Sequence, residues 1–189
     1  MLDQPEIIVR LKKGDKTVYT EVVEHWQHMI YNTALSVVQN LEDAEDITQD
    51  VFVALYERIQ DFREESTLST WLYRITVRKA LDQEKRRSRQ KRGGFLQKIF
   101  AVKESEEPVN FDHPGILLDN KEKAAMLFKA LKKLPDKQRI AFTLHKMEGL
   151  SYQQIAAIMD TSLYAIESLQ VRAKNNLKKI LRDYYEQHL

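Results

Sequence analysis

The chain has 189 residues, 43% of them hydrophobic and 31% charged, with a formal net charge of +2. That length fits one large domain or two small ones. Five Gly, four Pro and no Cys favour helices and exclude disulfide frameworks, thiolate metal sites and Cys nucleophiles. The opening residues MLDQPEIIVRLKKGDK carry acids and only a brief apolar run at Ile7, Ile8 and Val9, so they do not read as a signal peptide. No apolar run approaches the ~20 residues that span a bilayer. A cytoplasmic protein without membrane insertion is expected.

In chain order, residues 18–38 place Val22, Val23, Trp26, Met29, Ile30, Thr33, Ala34 and Val37 at helical spacing. A second helix is expected after Asn40, a good N-cap, with acids in its first turn that suit the positive end of the helix dipole. Ala44, Ile47, Val51, Ala54, Leu55 and Ile59 form its apolar stripe, which leaves the carboxylates mostly off the core face. Residues 62–70, FREESTLST, read as a turn. A third helix runs from about Trp71, with Leu72, Ile75 and Leu81 among its buried candidates.

Charge is segregated along these elements. Residues 42–65 carry Glu42, Asp43, Glu45, Asp46, Asp50, Glu57, Asp61, Glu64 and Glu65 against Arg58 and Arg63. Residues 74–92 reverse the sign, with Arg74, Arg78, Lys79, Lys85, Arg86, Arg87, Arg89, Lys91 and Arg92 against Asp82 and Glu84. Two solvated helix faces account for this on their own. On charge alone that is the preferred reading, with two partners on adjacent surfaces, the one at the basic surface a polyanion, as the alternative.

From Gly93 and Gly94 onward the composition changes, through KESEEPVNFDHPG with its two Pro and excess of acid. Residues 94–120 read as an extended linker, with a short helical piece over 95–102. A helical block follows. Ala124, Leu127, Phe128 and Leu131 share one face, Leu134-Pro135 breaks the helix, and Asp136 is placed to cap the next one with Pro135 just outside. The fold class expected is all-α, two small helical domains over residues 1–93 and 121–189 joined by that linker.

The sharpest local pattern lies in residues 151–169. Ser151 and Gln154 have the spacing of a capping box. Ala156 supplies a small side chain where two helices cross closely, and Asp160 falls four residues on, at a sharp turn that needs a left-handed conformation. Ile166 and Leu169 hold the second helix against the first. Small, turn, apolar, apolar at these offsets describes a helix-turn-helix, with an ordinary helical hairpin as the alternative. In such a motif the outward N-terminal residues of the second helix meet base edges. Those are Ser162, Leu163, Tyr164, Ala165 and Ser168. Gln170, Arg172, Lys174 and Lys178 follow, the basic ones suited to phosphates. Glu167 either accepts from a cytosine amino group or pairs locally, and the local role is preferred.

Three segments resemble the extracytoplasmic-function branch of the sigma-70 family of RNA polymerase sigma factors. DAEDITQDVFVALYERIQDF (residues 43–62) is similar to its region 2.2, STWLYRITVRKALDQEKRR (69–87) to regions 2.3 and 2.4, and LPDKQRIAFTLHKMEGLSYQQIAAIMDTSLYAIESLQVRAKNNL (134–177) to region 4. The blocks occur in family order and cover most of the chain.

The resemblance implies a transcription initiation factor, not an enzyme, that binds core RNA polymerase and promoter DNA, is restrained in many family members by an anti-sigma factor, and is a monomer when free. It implies a region 2 domain over 1–93 and a region 4 domain over 121–189. By position, Asp43, Asp46, Gln49, Asp50, Phe52 and Leu55 are the candidates for core-polymerase binding. Phe62, Arg63, Ser66 and Thr67 form the candidate pocket for a −10 base. Trp71, Arg74, Arg78 and Lys79 would line the opened strand, with Lys85, Arg86 and Arg87 on phosphates; Trp71 serves equally as a core anchor. The helix-turn-helix residues take the −35 element. Glu104, Glu106, Glu107 and Asp112 in the linker either imitate nucleic-acid charge inside the polymerase or belong to a solvated spacer.

Three positions depart from the family pattern. Asp160 stands in place of the commoner turn Gly, Thr161 where an aliphatic is frequent, and Leu169 where a basic residue is common. No additional N-terminal region or central third domain is expected.

Two rival readings compete with this one. Asp43, Asp46 and Asp50, with His25 and His28 one turn apart, offer carboxylates and imidazoles to a metal, but no His-Glu signature, P-loop or nucleophile elbow accompanies them. No metal or cofactor is therefore expected. A stand-alone helix-turn-helix regulator of duplex DNA explains residues 134–182 and leaves the block from Asp43 to Arg87 without a task.

Overall fold

Pro5, with φ preset for a first helical turn and no N–H to leave unsatisfied, opens α1 (Pro5–Lys12), which buries Ile8 and Leu11. This helix is not among those expected from the sequence, although Ile8 and Leu11 stand at helical spacing behind a proline. The computed structural model describes residues 4–93 and 121–188. Among them are eight α-helices and one 3-10 turn and no strand, an all-α fold as expected. The proposed linker, with Glu104, Glu106, Glu107, Asp112 and the helical piece over 95–102, lies outside the described residues.

Asp15 starts α2 (Lys16–Val38) by accepting from the backbone N–H groups of Thr17 and Val18. Gln39 ends it in a left-handed conformation, φ 50°. Asn40 then caps α3 (Leu41–Arg58), its Oδ1 2.8 Å from the Asp43 amide, as the sequence indicates. A 3-10 turn (Ile59–Asp61) leads to α4 (Leu68–Gly93). This helix begins earlier than expected because Thr67 caps it, with Oγ1 accepting from the Thr70 amide. Helices α2, α3 and α4 pack as a bundle around Val22, Ile30, Val51, Leu55, Leu68 and Leu72. Each fully buried side chain of this size contributes ~1.5–3 kcal/mol.

The second unit comprises α5 (Lys121–Lys132), α6 (Asp136–Lys146), α7 (Tyr152–Met159) and α8 (Leu163–His188). Pro135 occupies the N-cap of α6. Asp136 is its first helical residue and no cap, because its carboxylate turns to Arg139 Nη2 at 3.0 Å. The capping box of Ser151 and Gln154 forms in full at the start of α7. Asp160 closes that helix with φ 50°, ψ 57°, the left-handed turn expected of it.

The two units share one hydrophobic core. Ile140, Leu144, Ile155, Ile158 and Ile166 of the second unit belong to the same buried cluster as the α2–α4 bundle, and a smaller cluster joins Phe128, Leu131 and Leu134 to Ala173 and Leu177. Polar contacts also cross the junction between described residues. Gln39 Nε2 donates to Phe128 O at 3.1 Å, and Tyr73 Oη to Glu148 Oε2 at 3.2 Å. Arg74 Nε donates to Ala157 O at 2.8 Å, and Arg139 Nη2 lies 3.7 Å from Glu84 Oε2.

Candidate polymerase and DNA interfaces

On α3 the 100° step per residue separates two faces. Ala44, Ile47, Val51 and Leu55 turn inward. Asp46, Gln49, Val53 and Tyr56 stand on the opposite, exposed face. Of the six candidates for core-polymerase binding, Phe52 and Leu55 (7% and 0% exposed) are core residues. They set the orientation of α3 and offer no surface. The apolar surface of this face comes from Val53 and Tyr56, the latter 65% exposed, with Leu41 exposed at the start of the helix. The sequence held the signal for them, since both lie off the apolar stripe.

Asp43 and Asp50 flank that face on the side of α4, where basic residues meet them. Lys79 Nζ sits 2.8 Å from Asp50 Oδ2, and Arg87 Nη1 3.7 Å from Asp43 Oδ2, while Gln83 Nε2 donates to Asp43 Oδ1. Adjacent acidic and basic surfaces are thus stitched together along α3 and α4.

Among the candidates for the −10 element, Phe62 is buried and its ring centroid lies 5.5 Å from that of Trp71. Trp71 is half-buried against the core. Phe62 is therefore a floor and not a pocket wall, while Arg63 and Thr67 are exposed and Ser66 half-buried beside it. Thr67 is engaged as the cap of α4. Arg78 and Arg86 are exposed, and Lys85 pairs with Asp82 at 3.2 Å on the helix surface. Arg74 is drawn to the second unit through Ala157 O.

On α8 the first turn is open to solvent. Leu163 is exposed and Tyr164 is 77% exposed. Ser162 caps this helix through the Ala165 amide. Ala165 and Ser168 are half-buried, and Glu167, Arg172, Lys174 and Lys178 are exposed. Arg172 Nε donates to Ser168 O on its own helix. Gln170 is 1% exposed and donates to Ala141 O at 2.6 Å. It binds α8 to α6 and offers no exposed surface. Val171, exposed one turn beyond Ser168, was not singled out from sequence. Leu169 is buried, which explains an aliphatic residue where the family pattern has a basic one.

Burial pushes the Tyr73 phenol far above its ordinary range, and the Glu148 carboxylate it bonds pushes it further. Burial also raises Glu84 above the usual carboxylate range, against the opposing pull of Arg139. Among the described residues no group of three His, Cys, Asp or Glu is placed to hold a metal ion. No helix there is long and apolar enough to cross a membrane.

The sigma-70 region 2 family model matches residues 22–90, and the sigma-70 region 4 model matches residues 124–177. The first falls on α2–α4 and the second on α5–α8. The chain belongs to the sigma-70 family. Its relatives include the RNA polymerase sigma-H factor of Pseudomonas aeruginosa, 29% identical over 94% of this chain and 93% of that one. The extracytoplasmic-function sigma-E factor of Escherichia coli K12 is also 29% identical, over 93% of this chain and 95% of its own. Among solved structures, the sigma factor RpoE of Bartonella quintana in complex with the anti-sigma factor NepR has a TM-score of 0.67 at 25% identity, over 87% of this chain and 96% of that one. CnrH in complex with the cytosolic domain of CnrY shares the fold at TM-score 0.67 and 22% identity, over 94% of this chain and 96% of that one. This sigma factor is a promoter-specific initiation factor of the extracytoplasmic-function branch, and the stand-alone regulator is not favoured.

Proposed function

We propose that the exposed face of α3 docks on core polymerase, that α4 and the loop before it hold the opened −10 strand, and that the first turns of α8 read the −35 duplex. The observation that supports this most is the placement of the two family regions. Each falls on a helical unit that presents one charged or open surface of the kind its partner needs.

Asp46 and Gln49, with Asp43 and Asp50 at their flank, give α3 an acidic rim around Val53 and Tyr56. An apolar centre with charges at its edge is the composition of a specific protein interface. Arg63, Ser66, Thr67, Trp71, Arg78 and Arg86 offer donors and one flat ring to a single strand, and Arg74, Lys79, Lys85 and Arg87 join them when their internal partners let go. Leu163 and Tyr164 can meet thymine methyls, while Arg172 and Lys174 fit phosphates. The protein acts by binding, without catalysis of its own, and works in the cytoplasm where polymerase and promoter are. An anti-sigma factor, of the kind seen on the Bartonella relative, would act by covering these surfaces.

Transcription in vitro with purified core polymerase and a promoter library tests the reading. Start sites that appear only with this protein, and vanish with Asp46→Lys, are the expected result. No transcript and no capture of core polymerase would overturn it.

A further inference from the structure

Residues 161–171, the turn of the helix-turn-helix and the leading part of α8, hold no Arg or Lys, and Glu167 is their one charged side chain. The local role preferred for it on sequence finds no partner. Its helical neighbours three and four residues away, Leu163, Tyr164, Gln170 and Val171, are uncharged. Among the described residues it makes no hydrogen bond or ion pair. Glu167 is exposed, with exposed Leu163 and Tyr164 one turn before it and exposed Val171 one turn after. Arg172, the first cation of α8, donates through Nε to Ser168 O. A carboxylate therefore stands unpaired in an outward surface that is otherwise uncharged.

Chemistry narrows what such a group can meet. An ionised carboxylate only accepts hydrogen bonds. In the major groove guanine and thymine present acceptors to it, and adenine sets its N7 acceptor beside its N6 amino group. Cytosine offers an amino donor with no acceptor beside it on its own ring. Phosphates on both strands repel the charge as well, so its insertion costs affinity wherever that donor is missing. A bidentate Arg or Lys contact to guanine has no side chain to make it in this stretch.

We infer that Glu167 is a specificity-determining residue of this sigma factor, which selects upstream elements by accepting a hydrogen bond from the N4 amino group of a cytosine. Leu163, Tyr164 and Val171 then lie beside it for apolar contact with thymine methyls on neighbouring base pairs. The inference rests on the proposed placement of α8 in the −35 duplex. It makes Glu167 a reader that works partly by rejection, since every other base leaves its charge uncompensated.

Holoenzyme formed from the full chain and core polymerase, with duplexes selected from a library randomised in the upstream element, tests this. The parent should require cytosine at one position, with each other base there weakening binding by ~10-fold. Glu167→Gln, whose amide can pair with adenine N6 and N7, should shift that position to adenine and leave the others unchanged. Glu167→Ala should lose the preference at that position and bind unrelated duplex several-fold more tightly, because a charge has left the field of the phosphates. A purely structural role would not move the two affinities in opposite directions. Replacing the cytosine by 2-pyrimidinone, which lacks the amino group, should weaken the parent and leave Glu167→Ala unaffected. Glu167 is exposed, so both variants should keep the parent's melting temperature.

The same base preferences in Glu167→Ala as in the parent would overturn the inference, as would a parallel loss on selected and unrelated duplex. If Tyr164→Ala and Arg172→Ala also left upstream binding untouched, the placement of α8 on DNA would fall with it. If those two weakened binding while Glu167→Ala changed no preference, the placement would stand and the reading by Glu167 alone would fail.

Discussion

In the first unit Lys79 sits on Asp50, Arg87 on Asp43 and Arg74 on the Ala157 carbonyl, whereas in the second Leu163, Tyr164 and Lys174 face solvent. Both units carry basic helices of similar length. The difference is that α4 lies between two neighbours that can neutralise it, an acidic helix on one side and the second unit on the other. The outward side chains in the leading turns of α8 face solvent. The surface proposed for the −35 element is thus open to solvent, while much of that proposed for the −10 element is held by internal partners. Exposed ion pairs contribute only ~0–1 kcal/mol each, so those along α3 and α4 bias the basic side chains without locking them.

The contrast between core and surface on α3 can be broken first. Leu55→Ala should cost ~2–5 kcal/mol of stability through the cavity it leaves, read as a lower denaturation midpoint. Tyr56→Ala, one residue on, should leave the midpoint within ~0.5 kcal/mol and weaken capture of core polymerase several-fold. Equal effects on stability would erase the distinction drawn between the two faces.

On α8 the same logic separates Gln170 from Tyr164. Gln170→Ala removes a buried hydrogen bond to α6 and should cost ~1–3 kcal/mol in unfolding. Tyr164→Ala should leave stability unchanged and weaken a −35 duplex by roughly tenfold, a loss of ~1.4 kcal/mol, with little change on unrelated duplex. Arg172→Ala should weaken both duplexes alike and lower the salt slope by about one.

Asp160→Val places a β-branched residue at φ 50° and should destabilise the second unit by ~1–2 kcal/mol. Asp160→Gly should hold or raise the melting temperature. The smallest effect concerns pH. Glu84, facing Arg139, Arg87, Lys132 and Asp136, has a raised folded pKa, chiefly from burial. Its proton is bound more tightly in the folded protein, so its contribution to stability is fully present below the unfolded pKa and is lost as pH rises through the folded one. Unfolding followed across that carboxylate range should show this slope in the parent chain and a flatter one in Glu84→Gln.

What could be read from the sequence was local. Asn40, the Ser151–Gln154 box and Asp160 each act within four residues, and all three stand where spacing put them. The apolar stripe of α3 was equally legible because it follows from helical period. Assignment by family position failed to distinguish facing from membership. Phe52, Leu55, Phe62 and Gln170 lie in the matched segments, and their side chains point inward. Val53 and Tyr56 are not among the family-position candidates, although the helical period places both outside. The junction between the units was not legible at all. Arg74 finds Ala157 83 residues away, and no spacing rule reaches that far.

Arg139 has a second property besides its ion pairs. Its Nε is buried without a hydrogen-bond partner, in a side chain that also faces the half-buried Glu84. An unsatisfied buried donor of this kind costs ~1–3 kcal/mol, and Glu84 is itself held in a site that disfavours its charge. The shared apolar core behind this corner therefore has to outweigh that cost.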